Sequence, residues 1–141
     1  MFVLDTNVLS TIMAARPSPE VAAWIAGQRD DMLFTTTISQ AEILSGLAIM
    51  PDGRRRVALE AASRAIFADD FAGRMLGFDA AAAVCYAGIF AARRRAGRAV
   101  APFDLMIAAI ALANGASVVT RDGGGFEGCG VTVIDPWRVV G

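Results

Sequence analysis

The chain opens with Met1-Phe2-Val3-Leu4-Asp5-Thr6-Asn7, a short apolar run that ends at an acidic residue. Phe2 to Leu4 predicts a buried β-strand, and a helix is expected from about Asn7 to Ala15, because Pro17 cannot continue it. An aspartate that closes an apolar strand usually needs a partner side chain. Asp5 is therefore the acidic residue that a purely structural role explains least well.

Apolar β-type runs and helical stretches alternate along the whole chain. After the first strand, the sequence predicts strands at Met32 to Thr36, Met75 to Phe78, Ser117 to Thr120 and Val131 to Ile134. Strands separated by helices are typical of an α/β fold, in which a mostly parallel, twisted sheet of about four to five strands carries helices on both faces. No repeat or linker divides the sequence, so residues 1–141 are expected to form a single domain.

Four acidic residues stand where predicted elements begin or end. They are Asp5, Glu42, Asp104 and Asp122. Ligands of open α/β sheets bind beyond the carboxyl ends of the strands, so all four carboxylates are expected at one edge of the sheet. Two carboxylates about 4 Å apart repel by about 4 kcal/mol at an effective dielectric constant of about 20, and a divalent cation would offset this repulsion.

The chain contains no histidine, so an imidazole cannot serve as base, nucleophile or metal ligand. Carboxylates with a hard cation are then the simplest chemistry available. Mg²⁺ fits best, because one or two carboxylates and a substrate phosphate commonly hold it. Such a site polarises a phosphodiester and provides a bound water as nucleophile. The prediction is hydrolysis of a phosphate ester without a covalent enzyme intermediate.

Each of these acids also has a structural interpretation. Ser39-x-x-Glu42 before an apolar run has the form of a capping box. Asp104 suits the first turn of a helix, and Asp122 before three glycines suits a turn. Asp79 also follows a predicted strand, but it is interpreted as the N-cap of the next helix.

Composition excludes several classes of protein. Hydrophobic residues make up 55% of the chain, but no apolar run approaches the ~20 residues that span a bilayer, so we expect no membrane association and a cytoplasmic location. The net charge of −1 argues against an obligate nucleic-acid binder. Two cysteines, Cys85 and Cys129, provide neither a disulfide framework nor a zinc site.

Four segments, in this order, resemble the sequence blocks of PIN-domain ribonucleases. They are Val3 to Ser10 (VLDTNVLS), Thr37 to Gly46 (TISQAEILSG), Phe103 to Ala109 (FDLMIAA) and Val119 to Asp122 (VTRD). One block alone is weak, whereas four in the right order over nearly the full chain are strong. Within the family, the sequence is most similar to the VapC-type toxins of bacterial toxin–antitoxin pairs. The FitB-like members look nearest, including the ending Asp135-Pro136-Trp137.

The resemblance implies a PIN-like domain and a Mg²⁺-dependent endoribonuclease toxin of a type II toxin–antitoxin system, in which Mn²⁺ can replace Mg²⁺. Asp5 and Asp104 match the principal metal-binding acids. Glu42 and Asp122 match the other members of a catalytic quartet, acting directly, through water or on a second ion. The matching supporting residues are Thr6 and Thr120, whose hydroxyls lie near the site, and Asn7, which orients Asp5.

The resemblance also implies a set of partners. These are an RNA substrate, a second copy of the chain in a homodimer, and a cognate antitoxin that inserts a segment near the active site. The antitoxin carries the DNA-binding domain, so DNA is contacted only indirectly. The chain departs from the family at Gly123 to Gly125, which predicts a more flexible loop after Asp122 than usual.

Two other functions compete with the ribonuclease. A phosphohydrolase could form an aspartyl-phosphate at Asp5, but such enzymes usually have a second acid two residues on, where this chain has Asn7. A non-enzymatic or regulatory PIN-domain partner of a DNA-binding antitoxin is the other alternative, and the presence of all four acids argues against it.

Overall fold

A computed structural model of the chain describes residues 1–138, so the last three residues of the predicted domain 1–141 lie outside the described part. The strands are β1 (Phe2–Leu4), β2 (Leu33–Thr36), β3 (Met75–Leu76), β4 (Ser117–Val119) and β5 (Val133–Ile134). They form one sheet in the order β3-β2-β1-β4-β5, and every neighbouring pair is parallel. The prediction of a parallel α/β sheet with four to five strands is confirmed.

In the described part of the chain, residues 1–138, six α-helices connect the strands. They are α1 (Thr6–Met13), α2 (Pro19–Ala26), α3 (Thr37–Ala48), α4 (Arg54–Arg64), α5 (Ala80–Arg95) and α6 (Pro102–Ala113). A π-helical segment, Ala65–Asp70, continues α4, and two short 3-10 turns occupy Asp30–Met32 and Gly123–Phe126. No helix within residues 1–138 is long and apolar enough to cross a bilayer.

The central strands bury a side chain on each face of the sheet. Val3 and Val118 pack with the apolar side chains of α5 and α6. Leu4 and Val119 pack on the opposite face, with side chains of α1, α2, α3 and the π-helical segment. Successive residues of a strand point to opposite faces, so helices cover both sides as predicted. The coverage leaves the carboxyl ends of the strands as the open edge.

The start of α3 differs from the predicted capping box. The N-cap is Thr36, whose hydroxyl accepts a hydrogen bond of 3.1 Å from the backbone N–H of Ser39. Helix α3 therefore begins at Thr37, and Glu42 lies in its second turn, beyond reach of the cap. The capping-box interpretation of Glu42 is wrong, because strand β2 runs directly into α3 and the last residue of the strand, Thr36, is the N-cap.

The stretch after Asp122 adopts a defined conformation, while its predicted flexibility stays a prediction. Gly123–Phe126 forms a 3-10 turn, and the ring of Phe126 is only 1% exposed. Phe126 packs with Leu105 and other core residues of α6. An aromatic anchor of this size buries on the order of 150–250 Å², so it fixes the turn against the helix that carries Asp104.

Candidate metal centre

The four predicted acids meet at the carboxyl edge of the sheet. Asp5 directly follows β1, Glu42 lies on α3, Asp104 lies in the first turn of α6, and Asp122 lies three residues beyond the end of β4. All four line one cavity of about 390 Å³, together with Thr6, Asn7 and Ser10. The parallel topology predicted this convergence, because successive strands deliver their carboxyl ends to the same edge.

Asp5 is almost fully buried and is held on both carboxylate oxygens. Its side chain is the N-cap of α1, where Oδ1 accepts a hydrogen bond of 2.8 Å from the backbone N–H of Thr6. Oδ2 accepts a hydrogen bond of 2.8 Å from the hydroxyl of Thr120. Asp5 is 5% exposed, so these two hydrogen bonds hold its carboxylate in one orientation where it lines the cavity.

Thr120 also connects Asp5 to the loop after β4. Its Oγ1 accepts hydrogen bonds from Asn7 Nδ2 at 3.0 Å and from the backbone N–H of Asp122 at 3.1 Å. Asn7 lies farther from Asp5 itself, at 3.5 Å from Nδ2 to Oδ2. Asn7 therefore orients Asp5 mainly through Thr120, and its own Oδ1 accepts from the backbone N–H of Arg121 at 3.2 Å.

Glu42 is held from the opposite side of the cavity. The hydroxyl of Thr6 donates to Glu42 Oε1 at 2.8 Å and lies 3.0 Å from the hydroxyl oxygen of Ser39. Since Thr6 has only one hydroxyl hydrogen, Ser39 must be the donor in their contact. This chain of hydrogen bonds fixes one oxygen of Glu42, whose side chain lines the cavity.

Asp104 and Asp122 approach each other across Gly125. A Cβ atom added to Gly125 would lie 2.9 Å from Asp104 Oδ2 and 3.4 Å from Asp122 Oδ2. Both carboxylates thus reach the same small space, and the absence of a side chain at position 125 leaves room for them. The third residue of the glycine triplet therefore shapes the site.

The carboxylates disfavour one another's charge. Burial raises the pKa of Asp5, and the charges of Glu42 and Asp122 raise it further, against the lowering effect of the hydrogen bonds from Thr120 and Thr6. Burial likewise raises the pKa of Asp104, and the charges of Asp5 and Asp122 add to the effect. A cation in the cavity would relieve this repulsion.

The donor set fits a hard divalent cation better than a closed metal cage. A structural zinc site requires a closed set of protein ligands around the ion. Within residues 1–138, no three acidic or cysteine side chains are close enough together to hold an ion by themselves. Mg²⁺ keeps several waters and needs one or two carboxylates. Asp5 and Asp104 can provide these, since they line one cavity and the charge of Asp5 acts on Asp104.

Asp104→Asn is expected to stabilise the metal-free protein at neutral pH. Because the pKa of Asp104 is raised on folding, the folded state binds the proton more tightly than the unfolded state does. The free energy of unfolding then falls as pH rises through the raised pKa. Removing the charge should therefore raise the free energy of unfolding, and with it the Tm, at neutral pH.

The stability gained by Asp104→Asn over the wild type should vanish below about pH 4, where the carboxyl of Asp104 is protonated in both the folded and the unfolded state. Thermal melts of the wild type and Asp104→Asn across pH, without metal, measure it. Asp69→Asn, at an exposed position in the π-helical segment, controls for the loss of a charge. A variant less stable than the wild type at pH 7 would show that Asp104 is not under electrostatic strain.

Three residues of the site were not predicted, and the first of them is Ser10, which lines the cavity. Ser39 is fully buried and contacts Thr6, and Gly125 leaves room for two carboxylates. The sequence contained a hint about Ser39. Thr36 and Ser39 are both residues that can cap a helix, but they stand three positions apart, so only one of them can be the N-cap of α3. The role of Gly125 had no such signal, since it depends on a contact with a distant helix.

Comparison with known proteins agrees with this architecture. The PIN domain family model matches residues 2–127, so the chain belongs to the PIN domain family. The chain is similar to three relatives over 138 residues, which cover 98% of this chain and 99% of each relative. It is 44% identical to plasmid stability protein StbB of Pseudomonas syringae pv. tomato and 40% identical to VapC ribonuclease Y4jK of Sinorhizobium fredii. It is 34% identical to toxin FitB of Neisseria gonorrhoeae.

A solved structure shows the same fold. The structure of FitAB bound to the IR36 DNA fragment contains a chain that superposes with a TM-score of 0.91 at 33% identity, covering 100% of this chain and 99% of that one. The resemblance to VapC-type and FitB-like PIN proteins is therefore confirmed over the whole chain.

Proposed function

We propose that the chain is a Mg²⁺-dependent endoribonuclease toxin of a type II toxin–antitoxin system. The observation that carries the proposal is the convergence of Asp5, Glu42, Asp104 and Asp122 on one cavity at the carboxyl edge of a PIN-domain sheet. Relatives at 40% and 34% identity are named a VapC ribonuclease and a toxin, which supports RNA as the substrate.

Asp5 and Asp104 are the residues proposed to hold the ion. A bound Mg²⁺ would supply Lewis-acid polarisation of a phosphoryl oxygen and would make water a better nucleophile at neutral pH. The chain provides the positions: Thr120 and the N–H of Thr6 fix Asp5, and the first turn of α6 fixes Asp104. Mn²⁺, with similar oxygen ligands, is expected to substitute.

Glu42 and Asp122 are proposed to act around the ion, through water or on a second ion. Thr6 holds Glu42 on one oxygen, so the other oxygen is free to accept a hydrogen bond or a proton from the attacking water. Asp122 is exposed, and its backbone N–H is fixed by Thr120. Its carboxylate can therefore meet water at the mouth of the cavity.

The direct test is cleavage of structured RNA by the purified protein, with titration calorimetry of Mn²⁺ alongside. Cleavage is expected with Mg²⁺ or Mn²⁺ and should stop when EDTA is added, because EDTA removes the ion that would polarise the phosphodiester and make water a better nucleophile. Readdition of excess Mn²⁺ should restore it. Cleavage that continues in EDTA, or a protein that binds no Mn²⁺, would contradict the proposal.

A cognate antitoxin is the proposed protein partner, with DNA contacted only through it. The FitAB structure contains DNA, which supports such an assembly. A groove of about 760 Å³ adjoins the acidic cavity and shares Thr6, Ser10 and Glu42 with it, while Met13 and Leu47 contribute to an otherwise largely apolar lining. An antitoxin segment lying in this groove would reach the acids and block access of RNA.

The homodimer is supported by apolar side chains that no helix covers. Val84 on α5 is 76% exposed, and Phe103 on α6 is 52% exposed. Burial of such residues between two copies would stabilise a dimer.

The cytoplasmic location stays a prediction.

A further inference from the structure

One buried arginine connects the two segments that carry Asp104 and Asp122. Arg93, near the end of α5, is only 6% exposed. Its Nε and Nη2 donate to the carbonyl oxygen of Ala99 at 3.0 and 2.8 Å, and its Nη1 donates to the carbonyl oxygen of Glu127 at 2.6 Å. Three hydrogen bonds from one planar group thus join two loops far apart in sequence.

The positions of these carbonyls matter for the site. Ala99 lies in the connection that enters α6 at Pro102, and Asp104 lies in the first turn of that helix. Glu127 directly follows the 3-10 turn Gly123–Phe126, which begins after Asp122. The guanidinium therefore fixes the entry of one acid-bearing segment against the exit of the other.

The space between the segment that carries Asp104 and the turn after Asp122 is narrow. Gly125 stands between the two carboxylates, and even a Cβ atom there would come within 2.9 Å of Asp104 Oδ2. A shift of the turn by a fraction of an ångström would therefore change how the two carboxylates face the cavity. Close packing at this point makes the link through Arg93 relevant to the geometry of the site.

Arg93 differs in this respect from its neighbours on the arginine-rich end of α5. Arg94 is exposed, and its side chain makes no hydrogen bond within residues 1–138. Arg98 forms an exposed ion pair with the carboxylate of Glu127 at 3.1 Å, and such pairs contribute little. A run of arginines at the end of a helix usually forms a solvated face, but the buried Arg93 does not follow that pattern.

We propose that Arg93 is a positioning residue, which sets the separation of the Asp104 and Asp122 carboxylates by joining the loops that carry them. The proposal rests on the proposed function for its consequence, metal binding. Lysine has a single donor atom and cannot reproduce the planar fork, so the positive charge alone is not sufficient. Partners that orient metal ligands typically change metal affinity 10–100-fold.

The test compares Arg93→Lys and Arg93→Met with Arg94→Met, which removes the same charge from the same helix at an exposed position. Mn²⁺ affinity is measured by calorimetry, and backbone hydrogen exchange is followed in segments 99–105 and 122–128 without metal. Both Arg93 variants are expected to bind Mn²⁺ about 10–100-fold more weakly and to exchange faster in both segments. Arg94→Met should match the wild type.

If Arg93→Met does not fold, Arg93→Lys alone tests the positioning role of Arg93, since lysine keeps the charge and most of the volume. Wild-type exchange in both segments of folded Arg93→Lys, or wild-type Mn²⁺ affinity, would overturn the positioning role. If Arg93→Met binds Mn²⁺ weakly but Arg93→Lys binds it as the wild type does, the positive charge of residue 93 is sufficient, and the positioning role is overturned. A wild type that binds no Mn²⁺ contradicts the proposed function instead, and the exchange rates then decide the positioning role alone.

Discussion

Asp5→Asn is expected to lower the rate of RNA cleavage at least about 1,000-fold at neutral pH. The variant loses one of the two charges proposed to hold the ion, and metal ions contribute several kcal/mol to stabilising the transition state. A loss of about 4 kcal/mol corresponds to this factor. Initial rates on a labelled RNA, with Mg²⁺ in excess, measure the effect.

The change should leave the fold intact. Asparagine keeps an oxygen to accept from the backbone N–H of Thr6. Its amide faces the hydroxyl of Thr120, whose oxygen already accepts from Asn7 and from the backbone N–H of Asp122, so the variant loses about one hydrogen bond at this point. The variant also avoids burying a charge in a position that is 5% exposed. The loss of one hydrogen bond, about 1 kcal/mol, opposes the gain from removing the buried charge. A thermal melt should therefore still show a cooperatively folded protein, which separates loss of activity from loss of structure.

Asp79→Asn is the matched control. Asp79 also follows a strand and begins a helix, with its Oδ1 accepting from the backbone N–H of Ala82 at 2.9 Å, but it does not line the acidic cavity. Asparagine is an equally good N-cap, so this variant should cleave RNA at the wild-type rate. Asp5→Asn activity within tenfold of wild type would remove Asp5 from the proposed metal site.

The sequence predicted the sheet well because the signals of a parallel α/β fold are local. A run such as Phe2 to Leu4 is apolar and short enough for a strand, and Asp79 was correctly identified as an N-cap. The edge strands were predicted too long. Strand β3 ends at Leu76, since Gly77 and Phe78 are exposed, and β5 begins only at Val133, beyond Gly130 with its positive φ of 77°.

The sequence placed the acids at one edge but could not give the contacts that hold them. Glu42 looked like half of a capping box, whereas its actual partner is Thr6, 36 residues away in the chain. Asn7 replaces the second acid of an aspartyl-phosphate enzyme, and in the structure its amide donates to Thr120. Such pairings depend on how β1, α3 and β4 are brought together, and local pattern does not contain that information.

Gly125→Ala is expected to reduce both Mn²⁺ affinity and RNA cleavage about 10–100-fold, in the range seen when groups around metal ligands are altered. The new Cβ would lie 2.9 Å from Asp104 Oδ2 and 3.4 Å from Asp122 Oδ2, closer than side chains normally approach. The turn cannot move away easily, because Phe126 is buried beside it. The carboxylates must therefore rotate, and calorimetry with Mn²⁺ measures the result directly.

Gly124→Ala distinguishes this steric effect from a general need for a flexible glycine loop. The Cβ of an alanine at 124 would have Asp122 Oδ1 as its nearest neighbour, at 3.7 Å, which is an ordinary van der Waals contact. Neither Gly124 nor Gly125 has a positive φ, so alanine costs no backbone strain at either position. If flexibility mattered, both variants would lose activity; if the space between the acids matters, Gly124→Ala keeps wild-type Mn²⁺ affinity and only Gly125→Ala loses it.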